Sequence, residues 1–113
     1  MTARRLFNIP SRSDALEGRP PGVTVFLPHT PRWTEEAAAA AGVDLMISGH
    51  THNGQIWPFT FFVQSQYLHV SGHYTVGAMH LLVCRGTGTW GPRMRLWQRS
   101  EILRITLRHS PAQ

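Results

Sequence analysis

Lysine is absent from this chain and acids are few: eleven basic residues, all arginine, face six Asp and Glu, giving a formal net charge of +5. The arginines run from Arg4 to Arg108 without gathering, which excludes a basic tail or a densely basic recognition helix. Such an excess suits phosphate-bearing partners but is otherwise a solvated surface. Specific nucleic-acid binding is not expected, because the aromatics form no interleaved stacking platform. Cysteine is nearly absent as well. Cys84 alone excludes an internal disulfide and a Cys-rich zinc site, and its apolar neighbours make it an inert core thiol. No window approaches ~20 apolar residues, so nothing here is expected to span a bilayer. Residues 1–10 lack the apolar stretch and cleavage site of a signal peptide. What remains is 113 residues, 42% hydrophobic and 15% charged. That is the composition of a packed globule, one domain or part of one.

The informative stretch is Ile47-Ser48-Gly49-His50-Thr51-His52-Asn53-Gly54-Gln55. Residues 43–48 are short, β-compatible and bounded by Gly42 and Gly49, so they read as a buried strand. Gly, Asn and Thr then bring turn chemistry and place His50 and His52 at the mouth of a sheet. Side chains two apart on an extended backbone have Cα atoms roughly 6.5 Å apart. That spacing suits two ions about 3.5–4 Å apart, one imidazole to each, better than one ion gripped by both.

Upstream, residues 23–27 (VTVFL) predict another strand, ended by Pro28 and His29. A helix is expected next, capped by Thr30, with Pro31 in its first turn, Glu35 and Glu36 near its positive end, and Gly42 as its stop. Trp33, Ala37, Ala40 and Ala41 are expected on its buried face. The β–helix–β order makes the two strands parallel, so His29, His50 and His52 meet at one rim of the sheet. Neutral imidazole is the commonest metal ligand, and metal ligation is the reading preferred over a set of hydrogen-bonding loop histidines. Ser48, Thr51 and Gln55 are candidates to orient the rings.

Residues 56–63 form an aromatic stretch broken by Pro58, a wall or flap beside the site. Three further strands are expected at 67–71, 79–84 and 102–107. His69 and His80 fall within strand patterns, without a metal role expected, and His73 is a turn residue, a lesser candidate to approach the site. Gly86-Thr87-Gly88-Thr89-Trp90-Gly91 formally matches a dinucleotide fingerprint, but no amphipathic helix follows and no acid can appear ~20 residues on. It reads as a tight connection. Arg85, Arg93 and Arg95, beside it, are candidates for meeting a phosphate, with exposed surface charge as the equal alternative. No Gly-x-Ser-x-Gly elbow occurs and Cys84 has no adjacent base, so a nucleophile mechanism finds no support.

Gly49-His50-Thr51-His52 followed by Gly54-Gln55 resembles the C-terminal Gly-His-x-His motif of the calcineurin-like metallophosphoesterases. Leu27-Pro28-His29-Thr30-Pro31 resembles that family's preceding single-histidine motif. The segment 85–96 followed by Glu101-Ile102 resembles the close of a bacterial branch whose members are often membrane-associated. The resemblance implies a sandwich of two sheets flanked by helices, to which this chain contributes the C-terminal half. It also implies His29 and His50 on one metal, His52 on the other, and hydrolysis of a phosphate ester. Two divalent cations (Mn, Fe or Zn) would polarise the phosphoryl oxygens and activate a bridging water.

The family's Asp-x-His, Gly-Asp-x-x-Asp and Gly-Asn-His-Asp/Glu motifs do not occur here, and Asn53 stands where this branch usually has glycine. The chain is therefore expected to be an incomplete α/β fold. Residues 1–22 would be a polar lead-in, 23–107 the C-terminal part of the domain, and 108–113 a tail. It is expected to be inactive alone, to pair with a missing N-terminal half or a second copy, and to meet a membrane only through segments outside it. The rival from another class is a non-catalytic module in which the three histidines hold one zinc with an open fourth position. An amidohydrolase-type His-x-His would need a barrel of ~250 residues.

Overall fold

The computed structural model describes residues 14–31 and 35–109. Its centre is one four-stranded sheet in the order β1-β2-β4-β3, with β1 Val25–Phe26, β2 Leu45–Ser48, β3 Gly72–Val76 and β4 Met79–Val83. β1 pairs parallel with β2, and β2 parallel with β4, whereas β3 and β4 form an antiparallel hairpin. The expected parallel pair is present. The described residues form this single mixed sheet and not two facing ones.

Helix α1, Glu35–Ala40, supplies the crossover between β1 and β2. Its end follows from Gly42, which takes φ +77°. The Gly42 amide then donates to Ala39 O and the Val43 amide to Ala38 O, both at 3.0 Å. This pair of back-turned bonds satisfies carbonyls the helix leaves open, and it brings Val43 and Ala38 together in the core. The buried face differs from expectation. Ala37, Ala40 and Ala41 are exposed, while Glu35 and Ala38 are buried. A run of five alanines has no apolar stripe of its own, so the terminal turn and the Glu35–His69 contact decide its rotation. Trp33 lies outside the described residues.

The core lies between α1 and one sheet face: Ala38, Val43, Met46, Met79, Leu81 and Val83, with Phe26, Tyr74 and Val76 packed against it. Alternation along β4 follows from strand geometry, with Met79, Leu81 and Val83 inward and His80 outward. Leu16 also packs on this core and Arg19 donates to the Ala41 carbonyl at the C-terminal end of α1, where a cation is favoured. Leu16 and Arg19 thus tie the lead-in to the fold.

Two expected strands differ. Residues 67–71 are a connection, and the strand begins at Gly72. The Thr51 hydroxyl claims the Val70 carbonyl at 2.6 Å, and the tight turn at Gly77-Ala78 sets the β3–β4 register instead. Residues 102–107 belong to none of the four strands, and Ile102 (84% exposed) and Leu107 are open to solvent. The aromatic stretch contains helix α2, Phe59–Gln66, which starts directly after Pro58. No helix among the described residues is long and apolar enough to cross a membrane.

Candidate metal centre

Strand pairing carries His29 to His50. Beyond the ends of β1 and β2 the Gly49 amide donates to the His29 carbonyl at 3.1 Å, and the Cys84 amide donates to the Ser48 carbonyl at 2.8 Å. The ends of β1, β2 and β4 therefore share one rim. There, His29 Nε2 and His50 Nδ1 lie 2.9 Å apart with their rings edge to face.

The loop after β2 is built in an uncommon conformation. His50, His52, Asn53 and Gln55 all have positive φ, as does Gly54, while Thr51 stays right-handed at φ −65°. Left-handed non-glycine residues cost of order 1–3 kcal/mol each and persist where the surroundings over-determine them. Those surroundings are on hand. Thr51 Oγ1 donates to Val70 O and accepts from the Asn53 amide at 3.3 Å, while the Asn53 side-chain amide donates to Gln98 Oε1 at 2.6 Å. At Gly54 (φ +75°) a Cβ would stand 2.3 Å from the Thr60 Cα, so only glycine lets α2 approach the loop. The φ of +49° at Asn53 explains why asparagine serves at that position, since it tolerates left-handed backbone better than most residues.

Gln55 is 4% exposed and wholly engaged with the loop at 90–92. Its amide nitrogen donates to Trp90 O (2.8 Å) and Pro92 O (3.0 Å), and its oxygen accepts from the Trp90 amide (2.6 Å). Arg85 is paired with Glu101: its guanidinium reaches Oε1 at 3.2 Å and its amide reaches Oε2 at 3.0 Å. These bonds hold the Glu101 carboxyl below its usual range. Ser48 is buried, and its Oγ has no partner among the described residues.

Arg95, one of the arginines the sequence offered for a phosphate, is spent instead on the protein itself. Its guanidinium donates to the carbonyls of Arg85 (2.8 Å) and Gly88 (2.6 Å) and stands 3.3 Å from His52 Nδ1. It therefore fastens the glycine-rich loop of residues 85–88 against His52. Its charge and its proximity to that loop were legible in the sequence, but not this bracing role.

Charge at the rim follows from this packing. Desolvation, then the proximity of His29, lowers the His50 pKa below 6.5. For His52 desolvation acts first, then Arg95, then the other two histidines. Both rings are consequently harder to protonate than a free imidazole, which favours the form with a lone pair to offer. A cleft of about 170 Å³ opens beside them, walled by Phe59, Val63, Tyr67 and Trp90. No group of three or more His, Cys, Asp or Glu among the described residues stands close enough to hold an ion. His69, by contrast, is taken up by Glu35 at 3.2 Å, and His73 meets His80 on the outer sheet face.

Comparison with known proteins gives a consistent answer. The chain is 41% identical to an uncharacterized metallophosphoesterase of Campylobacter jejuni over 75% of this chain and 23% of that protein. It is 35% identical to an uncharacterized metallophosphoesterase of Helicobacter pylori over 74% of this chain and 23% of that one. A transmembrane protein with metallophosphoesterase domain from Bos taurus is 36% identical over 86% of this chain and 22% of its own length. The chain thus spans about a quarter of the length of these relatives. No family model and no solved structure matches it.

Proposed function

We propose, for a chain that belongs to the calcineurin-like metallophosphoesterase family, that it supplies the histidine side of a metal-dependent phosphoric ester hydrolase. The observation that carries this reading is the 2.9 Å approach of His29 Nε2 to His50 Nδ1. Two nitrogens bound ~2.0–2.1 Å from one ion at a right angle lie about 3 Å apart, so the pair has the bite of two ligands on a single cation. His52, at the same rim beside Arg95, is the ligand for a second cation. Divalent cations, when bound, supply Lewis-acid polarisation of a phosphoryl oxygen and acidify a water.

The donor set fits one half of such a centre. Three imidazoles bring no negative charge to offset two dications, so the carboxylate ligands belong to parts of the domain outside this chain. The exposed apolar residues Val23, Ile102 and Leu107 are consistent with a surface that those parts cover. The chain's own residues do three things here. His29, His50 and His52 present lone pairs, the loop network holds the rings in place, and the apolar wall beside them shelters a substrate group from water. Arg85, held by Glu101, lies next to the loop that Arg95 anchors and is available to a phosphate at modest cost.

Calorimetric titration with Zn²⁺ and Mn²⁺ tests the reading, alongside an assay with an aryl phosphodiester. The expected result is weak Mn²⁺ binding that is lost in His29→Ala and His50→Ala, a Zn²⁺ heat that the same substitutions reduce, and no turnover by the 113-residue chain. Tight one-to-one zinc that depends equally on His29, His50 and His52 would replace this reading with the non-catalytic zinc module.

A further inference from the structure

The outer face of the β3–β4 hairpin holds a second pair of imidazoles that the rim does not use. The register sets Thr75 opposite His80 and His73 opposite Leu82, so His73 and His80 are diagonal neighbours on one sheet face. That diagonal is within reach of long or ring-bearing side chains. Here it brings His73 Nε2 to 2.9 Å from His80 Nδ1, with the ring centroids 5.1 Å apart. Both residues are exposed, on the face away from the Met79, Leu81 and Val83 core.

We propose that His73 and His80 form a separate, bidentate site for a borderline divalent transition metal such as Ni²⁺, Cu²⁺ or Zn²⁺. The geometry carries this. Two nitrogens ~2.0–2.1 Å from an ion lie about 3 Å apart when their bonds meet at a right angle. The backbone that sets this spacing is a paired hairpin, not a loop, so little ordering is needed on binding. A bare contact between two imidazoles needs one ring to donate to the other, which fixes the tautomer of both. A cation relieves that requirement, because both nitrogens then use their lone pairs. Imidazole donors select nickel, copper and zinc over magnesium and calcium, which prefer oxygen. No third protein donor is nearby among the described residues, so water completes the coordination and the ion exchanges readily. The proposal is independent of the hydrolase reading, since it uses neither His29 nor His50.

Ni²⁺ titration of the whole chain followed by histidine ring NMR tests it, with thermal melting in parallel. In the His29→Ala/His50→Ala variant, the signals of His73 and His80 should still respond together, and Ni²⁺ should raise the Tm. Adding His73→Ala or His80→Asn should abolish both responses while leaving the metal-free Tm within a few degrees. If Ni²⁺ leaves the two ring signals unmoved, or shifts the Tm equally with and without His80, the pair is only a cross-strand hydrogen bond and the proposal fails.

Discussion

Gln55→Ala should be the most damaging polar-to-alanine change in the loop, and its size follows from the three bonds the side chain makes. They measure 2.6, 2.8 and 3.0 Å, and all of them go to backbone atoms of Trp90 and Pro92. At a net ~1 kcal/mol per bond the loss is about 3 kcal/mol. Trp90 itself is 67% exposed, however, so water can serve part of the freed backbone. The expected cost is therefore about 2 kcal/mol. Gln55→Glu separates the donors from the acceptor. It keeps an oxygen for the Trp90 amide but aims a carboxylate at two carbonyl oxygens, so it should cost more than alanine at pH 7. Protonation restores one donor. The folded protein then binds that proton more tightly than the unfolded chain does, and the deficit should shrink as pH falls toward 4. Urea unfolding followed by tryptophan fluorescence and circular dichroism reads both effects. A loss under ~0.5 kcal/mol for alanine, or a glutamate variant no worse than alanine, would refute the clamp.

Three other outcomes follow from the same loop. Gly54→Ala meets the Thr60 backbone at 2.3 Å and holds an unfavourable φ of +75°, so it should destabilise by about 3 kcal/mol or more by urea melt. Arg95→Met removes the cation that helps depress His52, so the His52 pKa should rise toward 6.5 in an NMR titration while that of His50 stays put. Glu101 is held below its ordinary 4.5 by the Arg85 bonds, so its stabilising effect is present above the unfolded value and disappears as pH drops through the lowered one. The urea midpoints of wild type and Glu101→Gln should therefore differ at pH 7 and converge as pH falls through the lowered value.

What the sequence made legible was the part governed by short-range rules. The helix between β1 and β2 demanded parallel pairing, and parallel pairing demanded that residues 29 and 50 share a rim. Gly42 announced the end of α1 because a left-handed turn was needed there. Long-range competition hid the rest. Nothing in residues 67–71 signals that Thr51 takes the Val70 carbonyl and moves the strand to Gly72. The run of alanines in α1 could not reveal which side faces inward, since Glu35 and His69 settle that across 34 residues. Gln55 looked like a ring-orienting residue and is spent on Trp90 and Pro92. Arg95 stood out only as a charge for a phosphate, and its bracing of residues 85–88 was hidden for the same reason: its partners are mostly backbone carbonyls, and carbonyls leave no mark in a sequence.

Paramagnetic broadening by Mn²⁺ of the histidine ring signals tests the central claim most directly, since it reports which imidazoles stand around an ion without requiring turnover. The account predicts that His29, His50 and His52 broaden together at low Mn²⁺ while His69, held by Glu35, stays sharp. Broadening of His52 with His29 left sharp would contradict it, because the two strand ends would then not share one cation-binding rim.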